Sequence, residues 1–329
     1  MPYYLPDRFR FKHNFVFFLH DVLATIVKTG EEKGVFFHSF KLKDKKEADE
    51  FNNSSGSKII DLLISKGYDE EVDEIIKRQI FDAVLCDFLH YLYTALDTSE
   101  KGKLSVSFAL LRKPFKDNLF ILEWILADPK DFFKKFRSVN SHSEIAIDRI
   151  RPEKKLSIIS AARSKMKFSN LPADFLYDLR YDKNKAYGLE SIWNKANHLI
   201  TSYKDYATED MNLNFVFSHE TDKENQWEEF YFVLPSLLIH SLFVCDAIYC
   251  TFSDNNSIID NTLLCKIVSG YALTSKQHKE KNDGVSKELK LVCNKCNEII
   301  DVTLPMESLI YSKELYKCSK GHKTHIFEI

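Results

Sequence analysis

Glycine is scarce. Nine in 329 residues, with Gly30 and Gly34 the only close pair, leave no G-x-G-x-x-G and no G-x-x-x-x-G-K-[ST]. The chain therefore lacks the close-approach loops on which Rossmann and P-loop enzymes cradle phosphates. An excess of either charge is also missing. Forty-six basic and 48 acidic side chains give a net charge of -2, so no global positive field draws nucleic acid or an anionic membrane, and any such contact is a local patch. The start, Met-Pro-Tyr-Tyr-Leu-Pro-Asp-Arg-Phe-Arg, has none of the parts of a signal peptide. The one stretch of membrane length, Phe230 to Phe252, carries Pro235, His240 and Asp246. An aspartate near a helix centre costs about 3 kcal/mol on insertion, so a buried core helix is expected and a membrane span is not. Neither a nucleophile elbow nor H-E-x-x-H occurs. His20-Asp21 stands without the further ligands that a metal phosphohydrolase needs.

Apolar residues are plentiful, at 44% of the chain, which is enough for one large core or two domains. Cysteines number seven, an odd count, and Cys86, Cys245, Cys250 and Cys265 lie inside apolar helical runs. Free thiols there behave as small hydrophobes and point to a reducing cytoplasm. Four regions differ in texture. Residues 1–55 hold an aromatic helix over His13 to Lys28 and a charged stretch, Lys41 to Glu50, that reads as a flexible surface loop. Residues 56–273 are patterned for helices almost throughout. Asp69 to Leu96 sets Val72, Ile76, Ile80, Phe88, Leu92 and Leu96 at helical steps. A second long helix is expected over Ser105 to Leu126, packed antiparallel to the first and kinked at Pro114. Shorter helices are expected at Asp131–Phe136, Glu153–Met166, Pro172–Tyr181, Leu189–Tyr203, Trp227–Phe252 and Ser257–Tyr271, with an extended segment at Asp210–Ser218. Residues 274–288 are polar and aperiodic, as a linker would be. Residues 289–329 alternate like strands. The fold class is thus mainly α, a helical body with a small C-terminal β unit.

Three cysteines fall in that last unit. Cys293-Asn294-Lys295-Cys296 is a C-x-x-C knuckle, and Cys318-Ser319-Lys320-Gly321-His322 supplies a second ligand pair. About 40 residues cannot bury enough apolar surface to fold without a staple, and tetrahedral zinc needs two such close pairs. The segment resembles the zinc ribbons, and the resemblance implies one structural Zn2+ held by Cys293, Cys296, Cys318 and His322, with His325 a competitor for the fourth place. A redox C-x-x-C is the alternative, but no βαβ pattern surrounds this one. Lysines at 290, 295, 313, 317, 320 and 323 are available to phosphate or to a protein partner.

The body carries a second resemblance. A helix with His90 ending Tyr93-Thr94-Ala95-Leu96 is followed by Phe108-Ala109-Leu110-Leu111-Arg112-Lys113-Pro114-Phe115 and by Leu122-Glu123-Trp124-Ile125-Leu126-Ala127-Asp128-Pro129. Over residues 70–205 the chain is similar to the HEPN-like helical families of bacterial abortive-infection and toxin proteins. That similarity implies metal-independent RNA cleavage, with Arg112 and His198 as one catalytic pair. Lys116 stands where an acidic residue is expected, and Asp117 follows it. The R-x4-6-H motif of active members is matched at Arg137-Ser138-Val139-Asn140-Ser141-His142, giving Arg137 and His142 as a second pair, and again at Arg8 to His13. The histidine would move a proton at the ribose 2′-hydroxyl or the leaving oxygen, and the arginine would hold the developing phosphoryl charge.

Glu123 beside Trp124 reads as a surface carboxylate or a buried partner of Arg112 in preference to a raised-pKa acid, and His240 and Asp246 read as satisfied core groups. Two functions follow. One is a cytoplasmic, antiviral-defence or toxin-like bacterial protein that binds and cleaves RNA, with the ribbon recruiting substrate or partner. The other is a non-enzymatic helical adaptor whose ribbon mediates protein contact. In the first, Arg112, Arg137, His142 and His198 converge on one cleft, within a chain or across a homodimer.

Overall fold

The computed structural model describes residues 4–169, 171–185, 187–276, 286–293, 295–305 and 315–325. The chain is mainly helical. In order come α1 (Asp7–Glu32), α2 (Lys45–Asn52), α3 (Ser57–Ser65), α4 (Asp69–Glu100), α5 (Leu104–Arg112), α6 (Leu119–Ala127), α7 (Pro129–Phe136), α8 (Ser141–Glu144), α9 (Pro152–Ser164), α10 (Ala173–Tyr181), α11 (Leu189–Asn197), α12 (Glu220–Phe252) and α13 (Asn261–Lys276). Four strands follow: β1 (Ser286–Val292), β2 (Ile299–Pro305), β3 (Leu315–Lys317) and β4 (Lys323–His325).

Three long helices make the core. α12 packs along α1, α1 packs on α4, and α4 packs on α5. The apolar stripe of α4 turns Phe81, Leu85, Phe88, Leu92 and Leu96 inward, and Phe88 meets Phe115 edge to face at 5.3 Å. Across this helix pair Phe88, Leu92, Leu111, Leu122 and Trp124 are buried and Leu110 is half-buried. α1 belongs to this core. Its Phe9, Phe15, Leu19, Leu23 and Ile26 join one cluster with α4 and α12, so the first helix is longer than expected and is not set apart. Gly30 lets the loop after α1 fold back, since a Cβ there would lie 2.2 Å from the Phe36 ring.

Among the described residues one helix, α12, is long and apolar enough to cross a membrane, and 89% of its most apolar window is buried within the fold. That burial fits a core helix. Its Trp227 Nε1 donates to the Ser99 carbonyl at 2.8 Å, and its Tyr231 hydroxyl lies 2.7 Å from Ser99 Oγ, fixing α12 to the end of α4.

Three local expectations need correction. The charged stretch before residue 50 is not all loop, because α2 starts at its middle. Asp44 accepts from the Glu47 N–H at 2.9 Å, while Glu47 Oε2 takes the Lys43 N–H. These two bonds satisfy the start of the helix, and Phe51 packs near Leu63, Tyr68 and Val72. At Pro114, where a kink is expected, the helix runs on through a local widening. The proline leaves the Leu110 carbonyl without its usual donor, and Lys113–Asn118 widens into a π-turn that carries the chain from α5 into α6. Residues 210–218 form turns, with Met211 and Phe215 at positive φ, because Asn212 and Asn214 bind nearby backbone in place of a strand partner. α11 ends at Asn197, short of Tyr203.

In the C-terminal residues β1 pairs antiparallel with β2, from Ser286↔Pro305 to Val292↔Ile299, and β3 pairs with β4, from Leu315↔His325 to Lys317↔Lys323. Ordered elements reach into both ends of residues 274–288, since α13 runs to Lys276 and β1 begins at Ser286. Residues 277–285 lie outside the described residues.

Candidate functional site

Two tight backbone turns place the cysteine cluster. In the first, the Cys293 N–H donates to the Glu298 carbonyl and the Asn297 N–H returns to the Cys293 carbonyl, both at 2.8 Å, with Asn297 at φ 56°. In the second, the Cys318 N–H donates to the His322 carbonyl at 3.0 Å and Gly321, at φ 78°, donates to the Cys318 carbonyl at 2.8 Å. A left-handed residue closes each turn, as asparagine and glycine do most readily. The turns aim Cys293, Cys296, Cys318 and His322 at one point. One ligand atom from each lies within 4.8 Å of all the others, close enough to hold a metal ion. Cys293 Sγ is 3.8 Å from His322 Nδ1, and Cys296 Sγ is 3.7 Å from Cys318 Sγ. These edges fit a tetrahedron with arms of about 2.3 Å, the zinc–thiolate length, and are far too long for a disulfide. Outside the four donors, Glu298 lies 4.0 Å from Cys296 Sγ and accepts from Ser319 Oγ at 2.9 Å, tying one turn to the other. His325 takes part in β4, and its side chain lies outside the described residues.

The arginines and histidines of the body are placed as follows. Arg112 ends α5, with its guanidinium 3.9 Å from Asp117. His198 follows α11 in extended backbone, φ -132° and ψ 133°, and is exposed. α5 and α11 pack against each other. Arg137 caps α7 and lies 3.3 Å from both Asp69 and Asp73. His142 is exposed in the single turn of α8, which packs on α7. Among the described residues no hydrogen bond or ion pair joins Arg112 or Arg137 to His142 or His198.

Sequence reasoning missed a charged cluster beside the π-turn. Lys116 is buried there, 3.0 Å from Glu190 on α11 and 3.3 Å from Asp148. Burial raises the Asp117 carboxyl above its ordinary value, and burial together with Lys116 lowers the Lys155 ammonium. One Glu190 oxygen, Oε2, has no hydrogen-bond partner among the described residues. The polar run Lys116-Asp117-Asn118 inside an apolar helix is the signal that could have found it.

The buried charged groups of α6, α10 and α12 serve the packing of those helices. Glu123 pairs with Arg180, and not with Arg112. Arg180 Nη2 reaches both carboxylate oxygens at 2.8 and 2.9 Å, while His240 Nε2 lies 2.7 Å from Oε1. The Arg180 cation and the histidine hydrogen bond outweigh burial and hold Glu123 below the usual carboxylate range; burial holds His240 neutral. A neutral His240 donating from Nε2 leaves Nδ1 as a buried acceptor, and that atom is unpaired among the described residues. Asp246 accepts from the Ile258 N–H at 2.8 Å and from Ser257 Oγ at 2.7 Å, and so closes the turn after α12. All of this packs inward, leaving no opening for substrate at Glu123, where both partners are fully buried.

No protein-family model, no curated protein and no solved structure matches this chain.

Proposed function

We propose that the C-terminal residues form a zinc ribbon holding one structural zinc ion through Cys293, Cys296, Cys318 and His322, and that this ribbon is the partner-binding module of a non-catalytic helical protein. The convergence of three thiols and an imidazole on tetrahedral spacing carries the proposal. Three sulfurs and one nitrogen are a soft donor set suited to zinc, and four protein ligands close the site to substrate, so the ion serves folding. Bound there it would join the two turns and replace the core that so few residues cannot build. A protein partner suits the exposed side chains nearby. Among the described side chains of this unit, Lys295 and Lys320 stand with Glu298, and Ile299 is 59% exposed, a mixed surface. None of the seven cysteines is in a disulfide, which fits a reducing compartment such as the cytoplasm. Replacing Cys293 by serine tests the module: the strand pairs should lose their order while the helical body keeps its melting transition. A single shared transition, lowered as a whole, would reject a separate ribbon.

A second reading is RNA cleavage of the HEPN type by Arg112 and His198, as part of a bacterial defence or toxin activity. The packing of α5 on α11 favours this pair over Arg137 and His142, since Arg137 already lies between two carboxylates. It is the weaker reading because neither histidine has a side-chain partner among the described residues to orient it, as a proton-transferring imidazole needs. A homodimer would be the means of completing such a site.

A further inference from the structure

A cavity of ≈ 300 Å3 lies where α1, α10, α12 and α13 meet, and neither the cysteine cluster nor the charged groups beside the π-turn line it. Its size is at the lower end of small-molecule pockets, about 300–1,000 Å3. Leu171, Phe175, Leu179 and Val233 give it an apolar wall. Phe232, 58% exposed, also lines it, so the cavity reaches the surface there. The polar groups are few and grouped. Ser236 Oγ lies 2.9 Å from the Tyr271 hydroxyl, and Lys12 is the only charged side chain among the described lining residues.

Lys12 is 3% exposed. Burial pulls its ammonium down to about 8, against the attraction of Glu228, so most of it is still charged at neutral pH. An anion that enters an apolar space is stripped of water, and a cation already standing in the wall offsets that cost. A second cavity, ≈ 360 Å3, is a poorer anion site although three lysines line it. There Asp246 stands in the wall and opposes a second negative charge.

We propose that the Lys12 cavity binds a small anionic amphiphile, a carboxylate whose head meets Lys12 and whose short hydrocarbon tail lies along Leu171, Phe175 and Leu179. A charge-assisted bond would orient the head, and apolar contact would supply the remaining affinity.

Calorimetric titration of the full chain with octanoate, octanol and octylammonium tests this. Octanoate should bind with one site per chain, at least about tenfold more tightly than octanol, and octylammonium should bind more weakly than either. Lys12→Met should weaken octanoate by about tenfold or more, and Lys165→Met, in the other cavity, should leave it unchanged. Val233→Phe keeps the cation but fills the space, and should also remove binding; it decides the matter if the Lys12 variant does not fold. Absence of saturable octanoate binding at millimolar concentration would overturn the proposal. So would equal binding of octanol, or unaltered octanoate affinity in either variant of the Lys12 cavity.

Discussion

Arg180 grips Glu123 with one nitrogen on both carboxylate oxygens, and neither side chain has any surface exposed to solvent. The two are 57 residues apart in sequence, on α10 and α6. Arg180 also donates from Nη1 to the Phe115 carbonyl at 3.3 Å, at the π-turn, and from Nε to the Leu176 carbonyl at 3.1 Å. One guanidinium therefore joins α6, α10 and the π-turn that Pro114 imposes, and His240 brings in α12.

Removing one partner of this pair should cost more than its net contribution to stability, because the other charge is left buried. Glu123→Ala should destabilise the body by about 3–5 kcal/mol. Urea unfolding measures it. A loss under about 1 kcal/mol would mean that Arg180 is not confined as described.

The core contrast is sharper still on α5. Leu111 is 1% exposed between α4 and α12, whereas its neighbour Leu110 is half-buried. Leu111→Ala should cost about 2–5 kcal/mol, and Leu110→Ala clearly less. Equal costs at the two positions would contradict the packing of α4 on α5.

Acid sensitivity should trace in part to His13. Its Nδ1 lies 2.6 Å from the Tyr231 hydroxyl, and burial lowers its pKa to about 4; Glu100 and Asp97 oppose that shift and Arg10 adds to it. Unfolded His13 would titrate near 6.5, so between pH 6.5 and 4 the unfolded state holds a proton that the native state refuses. Stability then falls as pH drops through this window, by at most about 1.4 kcal/mol per pH unit from this one group. His13→Gln, which can keep the tyrosine contact, should flatten the slope there. Parallel pH profiles for the two proteins would assign the sensitivity elsewhere.

Much of the fold is legible in the order of the amino acids. The stripe on α4 and the buried run in α12 are periodic, and periodicity reports which face is covered. The clustered cysteines and His322 fall in local pairs with metal spacing, so their convergence needs only two turns. Other features are illegible for physical reasons. α2 offers little apolar surface beyond Phe51, and its clearest signal is the Asp44 cap on the Glu47 N–H. The partner of Glu123 is set by how α10 lies on α6, which no short-range pattern encodes. Lys12 sits in an otherwise ordinary aromatic helix, and only the assembly of four helices makes its surroundings apolar.

Single-stranded RNA should remain intact on incubation with the purified chain, with or without magnesium. Cleavage in EDTA leaving 2′,3′-cyclic phosphate ends, lost in His198→Ala and retained in His142→Ala, would establish the second reading in its place.

Zinc content is the most direct measurement of all. Full-length protein prepared without chelator should carry one zinc per chain, and X-ray absorption should show three sulfur neighbours at about 2.3 Å and one nitrogen at about 2.0 Å. Cys293→Ser should lose the ion. Protein free of zinc, or a Cys293→Ser variant that retains a full equivalent, would contradict the ribbon.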